Sequence, residues 1–301
     1  MRSPQLVRRS LFVLPLLAVF LLAATSAPAH PQQYVFNRAI IPTGNTPTGI
    51  VVVDVNSDGL PDMLIINNND ATVSVFLGKP GGTFGPKTDF PTASGPFALV
   101  TGDFNDDGKV DLAVTTSCGL NCGSVSILLG NGDGTFQPHQ EFPVGTNAEY
   151  LIVGDFNHDG KLDVAVDGFC GQTCGVVSVL LGKGDGTFQP KTDYSLGGTP
   201  AHIVSGDFNR DSNLDLLVAV SGANNIAVLL GNGDGTFQAP VNFPSPDSPS
   251  GIAAIDFDGD MITDLVISHD GAPWPVTFLK GNGDGTFQPG TPDSDDAASR
   301  L

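Results

Sequence analysis

A nine-residue acidic loop recurs five times along this chain, as Asp54–Asp62, Asp103–Asp111, Asp155–Asp163, Asp207–Asp215 and Asp256–Asp264, with starts 49, 52, 52 and 49 residues apart. Each copy is followed by a Gly-rich turn ending in Thr-Phe: Gly78–Phe84, Gly130–Phe136, Gly182–Phe188, Gly231–Phe237 and Gly281–Phe287. A period near 50 residues describes an array of supersecondary units, none of which buries its own faces without a neighbour.

The second unit shows what one repeat is made of. Leu99–Phe104 reads as a strand, Asp103–Asp111 as a polar loop and Leu112–Thr116 as a second strand. Val125, Ile127 and Leu129 alternate at the strand period of two, so 125–129 reads as a third strand. The turn that follows is rich in residues that tolerate positive φ, and a weaker fourth strand is expected from Phe136 to about Val144. Four short strands per repeat, with no helical period, predict an all-β protein. Its expected form is a β-propeller of four-stranded antiparallel blades, five of them recognisable. Each turn Phe precedes the next acidic loop by 19 residues, and Phe36 precedes Asp54 by 18. Tyr34–Ile41 therefore reads as a fourth strand without a blade of its own, placed to close the ring on the last blade.

Within every loop the first, third, fifth and ninth residues are Asp or Asn. Alternate side chains of a tight loop converge on one point, and the carbonyl of the seventh residue adds an oxygen. Ca²⁺ takes about six to eight such hard ligands. The candidate ligand sets are Asp54, Asn56, Asp58, Leu60 and Asp62; Asp103, Asn105, Asp107, Lys109 and Asp111; Asp155, Asn157, Asp159, Lys161 and Asp163; Asp207, Asn209, Asp211, Asn213 and Asp215; and Asp256, Asp258, Asp260, Ile262 and Asp264. Leu60, Lys109, Lys161, Asn213 and Ile262 offer only their main-chain oxygens. Gly59, Gly108 and Gly160 permit the bend at the sixth position, where copies four and five carry Ser212 and Met261. This is not an EF-hand, because the twelfth positions are Ile65, Val114, Val166, Val218 and Ile267 where an EF-hand has its bidentate Glu. Asx turns without metal explain one such loop as well as calcium does. Five in register favour up to five Ca²⁺, one per loop. The second Gly-Asp-Gly group, around Asp133, Asp185, Asp234 and Asp284, reads as hairpin chemistry, since the first copy keeps its turn with Gly81-Gly82 and no Asp.

Asp-Phe-Asn-x-Asp-Gly-x-x-Asp followed by Leu-Leu-Gly-Asn-Gly-Asp-Gly-Thr-Phe resembles the FG-GAP and VCBS repeat families, relatives of the integrin α-chain propeller and of some fungal propeller lectins. The resemblance covers residues 34 to 290. It implies calcium loops joining the first and second strands of each blade, on the face opposite the usual ligand surface. Five units are fewer than an integrin propeller has, which leaves closure by one chain open.

The N-terminal 29 residues stand apart. Arg2, Arg8 and Arg9 precede an apolar run from Leu11 to Ala24 and an Ala27-Pro28-Ala29 cleavage pattern, which reads as a secretory signal peptide cut before His30. The run is shorter than the ~20 residues of a spanning helix, and no later run is long enough, so no membrane span is expected after cleavage. Residues 30–290 are expected to form the propeller and 291–301 a disordered tail. Without the three signal Arg, 10 cations face 32 acids, a balance of 10 − 32 = −22. Only Glu141 and Glu149 among the 32 are Glu, and 16 occupy loop ligand positions. Asp enrichment of this kind marks turns and oxygen-rich metal loops, and ten scattered cations supply no nucleic-acid patch.

Cys118, Cys122, Cys170 and Cys174 fall in the same variable loop of two consecutive repeats. In an exported protein they are expected to be oxidised. Local pairs Cys118–Cys122 and Cys170–Cys174 are favoured over cross-pairing or a Cys₄ zinc site. No Gly-x-Ser-x-Gly or His-Glu-x-x-His occurs, and the five His share no repeat position. The expectation is a secreted, non-catalytic binding or adhesion module for glycans or extracellular proteins. Its rivals are an extracellular carbohydrate-active enzyme and a structural fragment needing partner blades. Strand alternation puts the acidic loops and Gly-Asp-Gly turns at one end. The variable residues Phe97, Glu149, Tyr150, Phe169, His202 and Trp274 then lie at the other, the expected ligand face.

Overall fold

Residues 40–117, 122–169, 174–245, 248–270 and 276–289 are described by a computed structural model of the chain. Two compact units divide it, Met1–Ile41 and Pro42–Leu301. The first holds the expected signal peptide and closing strand and lies outside the described residues except for Ile40 and Ile41, which belong to no strand. Outside them too are Trp274, Cys118, Cys170 and the tail.

The second unit is five consecutive four-stranded antiparallel sheets, each a simple meander. Blade one is Pro47–Val53, Asp62–Asn67, Thr72–Phe76 and Thr88–Pro91. Blade two is Pro96–Gly102, Asp111–Ser117, Gly123–Leu128 and Gln140–Pro143. Blade three is Leu151–Gly154, Asp163–Phe169, Gly175–Leu180 and Thr192–Ser195. Blade four is Pro200–Gly206, Asp215–Val220, Asn225–Leu229 and Val241–Pro244. Blade five is Pro249–Ile255, Asp264–His269, Val276–Gly281 and Phe287–Pro289. No α-helix occurs among the described residues.

This is the propeller-like arrangement that the repeat implies, with one difference of detail. The fourth strand of blade two begins at Gln140, because Phe136 makes only an isolated bridge to Gly130 across the turn. In blade five the short last strand occupies that bridge position itself, pairing Phe287 with Gly281.

In blades two to four the second and third strands read as near-continuous apolar runs because both of their faces are covered by adjacent blades. Four core clusters result, one at each junction. Leu64, Val73, Leu112 and Phe136 join blades one and two, while Ala113, Ile127, Val164 and Phe188 join two and three. Ala165, Val177, Leu216 and Phe237 join three and four, and Leu217, Ile226, Leu265 and Leu279 join four and five.

Candidate metal centres and the opposite aromatic end

Every acidic loop connects the first and second strands of its blade, and one hydrogen-bond pattern builds all five. The first Asp accepts amide N–H groups from further round the loop, as Asp103 does from Asp107 at 3.1 Å and Gly108 at 2.7 Å. Oxygen at the third position accepts from the fifth N–H (Asn105 from Asp107, 3.2 Å), and the fifth carboxylate accepts from the seventh (Asp107 from Lys109, 3.0 Å). These are the Asx turns of the metal-free reading. They do not compete with a cation, because an ionised carboxylate offers about four lone-pair sites and the turns use only some.

The ninth Asp behaves differently. Asp62, Asp111, Asp163, Asp215 and Asp264 are all buried. One oxygen accepts the N–H of the loop's second residue and the other the N–H of the Gly that opens the next turn. In blade two these donors are Phe104 at 2.9 Å and Gly130 at 2.7 Å; in blade five they are Phe257 at 3.0 Å and Gly281 at 2.9 Å. The residue is thus a staple between loop and turn, a role that its place in a ligand pattern did not reveal. Burial raises the carboxyls of Asp111 and Asp215, and that of Asp163 to about 6. The two donated N–H groups oppose the shift, and the charges at the first and fifth positions add to it.

Cations already gather here. Lys109 Nζ lies 2.9 Å from Asp107 and Lys161 Nζ 3.9 Å from Asp159. In the fifth loop Lys280 pairs with Asp258 and, at 3.1 Å, with Asp260. Asp256, Asp258 and Asp260 each offer an oxygen within 4.8 Å of the others. Converging carboxylates with unused lone pairs, repelling one another and attracting ammonium groups, fit a hard divalent cation. The Gly-Asp-Gly turns do not share this geometry. Asp133, Asp185, Asp234 and Asp284 each accept both the N–H and the hydroxyl of the Thr two residues on, which closes the turn internally.

At the opposite end three rings from three blades meet. Phe97 stands edge-on to Tyr150 with centroids 5.4 Å apart, and Tyr150 lies 5.1 Å from the His202 imidazole. All three are half-buried, and Tyr150 also packs on the core between blades three and four. Beneath them Asp167 is buried. Its Oδ1 accepts the Tyr150 N–H at 2.8 Å, and its Oδ2 has no partner. Burial raises its carboxyl to about 7, the Tyr150 N–H opposing and the Glu149 charge adding to the shift. Glu149 is itself raised by burial, against a hydrogen bond from Asn147 at 2.8 Å. The imidazole of His202 is lowered by burial, and its Nδ1 is unpartnered. Phe169 does not join the stack; it is half-buried and exchanges backbone hydrogen bonds with Thr146.

Asp167 occupies the place of Thr115 in blade two, each 12 residues after its loop start (115 − 103 and 167 − 155). The Thr115 hydroxyl accepts the Ala98 N–H at 2.9 Å and donates to the Glu149 carbonyl at 2.6 Å. A protonated Asp can accept and donate as that hydroxyl does, but only the accepting half is made here, from the Tyr150 N–H, and Oδ2 has no partner. Elsewhere, Thr92, Thr116, Ser124, His139 and Glu141 line a polar cleft of about 490 Å³ on blade two that the repeat pattern gave no reason to expect. Cys122 borders it; neither Cys122 nor Cys174 is a free thiol.

Five blades carrying acidic first-to-second-strand loops define a propeller-like repeat protein. The chain belongs to the FG-GAP-like repeat family, which matches residues 54–114, 103–166, 167–218 and 207–267. No curated protein matches it. Among solved structures, a functionally unknown protein from Desulfotomaculum acetoxidans is similar at a TM-score of 0.60 and 14% identity, over 83% of this chain and 71% of that one. Similar at lower scores are the Vibrio cholerae biofilm matrix protein Bap1 and a β-xylosidase/α-arabinofuranosidase from a compost metagenome. Bap1 gives a TM-score of 0.46 at 14% identity, over 81% of this chain and 38% of that one. The xylosidase gives 0.43 at 14% identity, over 82% of this chain and 95% of that one. At such identities the likeness is one of fold. No helix among the described residues is long and apolar enough to cross a membrane.

Proposed function

We propose that this protein is an exported, calcium-stabilised propeller that binds a glycan or an extracellular protein without catalysis, through the end carrying Phe97, Tyr150 and His202. The observation that carries this reading is the three-ring stack itself. Its members come from the starts of three separate first strands, outside the repeated motifs, and present half-exposed aromatic faces on a rigid scaffold. Such faces stack on sugar rings or anchor protein side chains. Calcium belongs to the other end. There the first, third and fifth side chains, the seventh carbonyl and the spare lone pairs of the ninth carboxylate would hold it. The ion would supply positive charge where the carboxylates repel, fixing each loop without entering the recognition step. Oxidised local pairs Cys118–Cys122 and Cys170–Cys174 complete the reading, in keeping with the bonded state of Cys122 and Cys174.

A glycan array probed with the calcium-loaded protein tests it. Tyr150→Ala is expected to abolish any captured signal while leaving the rise in melting temperature on adding calcium unchanged. Binding lost only through changes at the acidic-loop end would refute the assignment of the face. One observation favours a second reading, a carbohydrate-active enzyme: Glu149 and Asp167 are two carboxyls raised by burial beside Tyr150. Cleavage of a bound polysaccharide, lost in Glu149→Gln, would establish that reading instead.

A further inference from the structure

The four junctions between consecutive blades share one construction. A loop's second residue packs on the Phe that ends the next blade's turn, with ring centroids 6.2 Å apart in Phe104–Phe188, 5.6 Å in Phe156–Phe237 and 6.3 Å in Phe208–Phe287. In the first junction Val55 takes this part and shares a core with Phe136. The N–H of the turn's last Gly crosses to the carbonyl of that second residue, from Gly186 to Phe104 at 2.9 Å, Gly235 to Phe156 at 3.0 Å and Gly285 to Phe208 at 3.0 Å. Space beside the same Gly is filled by a Leu of the preceding blade. A Cβ on Gly134, Gly186, Gly235 or Gly285 would meet Leu77, Leu129, Leu181 or Leu230 at 2.6, 2.9, 2.6 or 2.8 Å. The loop's fourth side chain lies over the turn's third residue: Asp106 over Gly184, His158 over Gly233 and Arg210 over Gly283.

The two outer faces of the array each hold one half of this junction. Phe257 is 50% exposed, whereas Val55, Phe104, Phe156 and Phe208 are 2–4% exposed, and its ring turns instead to Phe278, itself exposed. At the other end Gly82 has nothing within 4 Å of an added Cβ, and Ile50 and Val52 of the first strand are exposed. The halves also match in size. Gly259, with open space beside it, stands where the other loops carry Asp106, His158 and Arg210, and Pro80 stands where the later turns carry Gly. The bulk thus stands on the opposite side from that in the internal junctions. Lys280 takes the place of the junction Leu. Its ammonium is held by Asp258 and Asp260, which leaves its methylene stem free to cover an apposed surface.

We propose that these faces meet in trans: the fifth blade of one copy seats the first blade of a second copy, Phe84 against Phe257, in a continuation of the junction that already repeats within the chain. Both faces are exposed in the single chain, so among the described residues nothing of the same chain covers either. The contact joins two different surfaces, so it is heterologous. It therefore propagates or closes into a ring, instead of stopping at a two-fold dimer.

Sedimentation velocity of the secreted full chain in calcium-containing buffer tests this. The wild type is expected to form dimers and larger species whose proportion rises with concentration. Phe257→Glu and Val52→Glu, each blocking one face, are expected to be monomeric alone. Mixed in equal amounts they should form a one-to-one dimer that grows no further, because each retains one working face. A wild type that stays monomeric at its highest soluble concentration overturns the proposal. So does a mixture that stays monomeric while both variants melt as the wild type does, or an assembly that Phe257→Glu fails to disperse. Should either variant lose its cooperative melt, Ile255→Lys and Ile50→Lys replace the pair with the same expected outcomes.

Discussion

Two residues carry backbone strain that the other repeats avoid. At the sixth loop position φ is 81° at Gly59, 77° at Gly108 and 82° at Gly160, but also 70° at Ser212 and 64° at Met261. A side chain in the left-handed region costs about 1–2 kcal/mol relative to Gly, part of which Gly returns through its freer unfolded chain. Met261 is exposed, so no packing is lost on removing it. Ser212→Gly and Met261→Gly are therefore each expected to raise the unfolding free energy by about 0.5–1 kcal/mol in denaturant melts; a loss would mean that the side chain has an unseen role. Asp167 gives a second prediction with a definite sign. Its unfolded carboxyl ionises near pH 4, whereas the folded one holds its proton to about 7. Across that window the native state binds the extra proton. The contribution is complete below about pH 4 and is lost as pH rises through 7. Asp167→Thr, which copies Thr115, should flatten that part of the stability–pH curve, and an unchanged slope would place the titration elsewhere.

Loop and turn form one element, held by the ninth Asp. Removing Asp111 leaves the N–H groups of Phe104 and Gly130 without their acceptor, at about 1–3 kcal/mol each, so Asp111→Ala is expected to cost about 2–6 kcal/mol. Asp133→Ala, which uncaps an exposed turn, should cost about 1 kcal/mol or less. The two roles of the acidic loop separate in chelator: the loss from Asp111→Ala persists there, while that from Asp103→Ala shrinks to the cost of its exposed turn hydrogen bonds. Melts with and without calcium check both. The period made the loops, the turns and the blade legible in sequence, because each recurs in register with its neighbours. Staple and ligand look alike in sequence, since both are an Asp at a fixed offset and only the donors, 7 residues back and 19 residues ahead of Asp111, tell them apart. The ring stack lost its register in the same way. Phe97 and Tyr150 are 150 − 97 = 53 residues apart while their loops are 103 to 155, or 52. Tyr150 and His202 keep the 52-residue spacing of their loops, whereas Phe97 stands one residue earlier relative to its own, within the register shift between Pro96 and Leu99. The exposure of Phe257 is hidden for the opposite reason: its sequence repeats that of Phe104, Phe156 and Phe208, and what differs is that no blade among the described residues packs on it.

At the scale of the whole molecule the acidic end is an electrostatic problem with a structural answer. The chain carries 13 cations against 32 acids, and half of those acids lie in five loops at one end of the blades. Their mutual repulsion opposes the four junctions, because each of the first four loops also supplies the residue that packs on the next blade. A cation bound only by the native loop reverses the sign of this interaction and stabilises by mass action, about 2.7 kcal/mol per site at a hundredfold excess over Kd. Chelation is therefore expected to lower the melting temperature by well over 10 °C and to broaden the transition as individual blades lose their ions, with full recovery on adding calcium. Sodium chloride at matched ionic strength separates screening from binding. Salt weakens repulsion between exposed carboxylates within a Debye length of ~8 Å but cannot bridge them, so it should restore only a small part of the loss. If salt restored all of it, or if verified removal of calcium left the melt unchanged, the loops would be Asx turns alone and the acidity would have some other purpose.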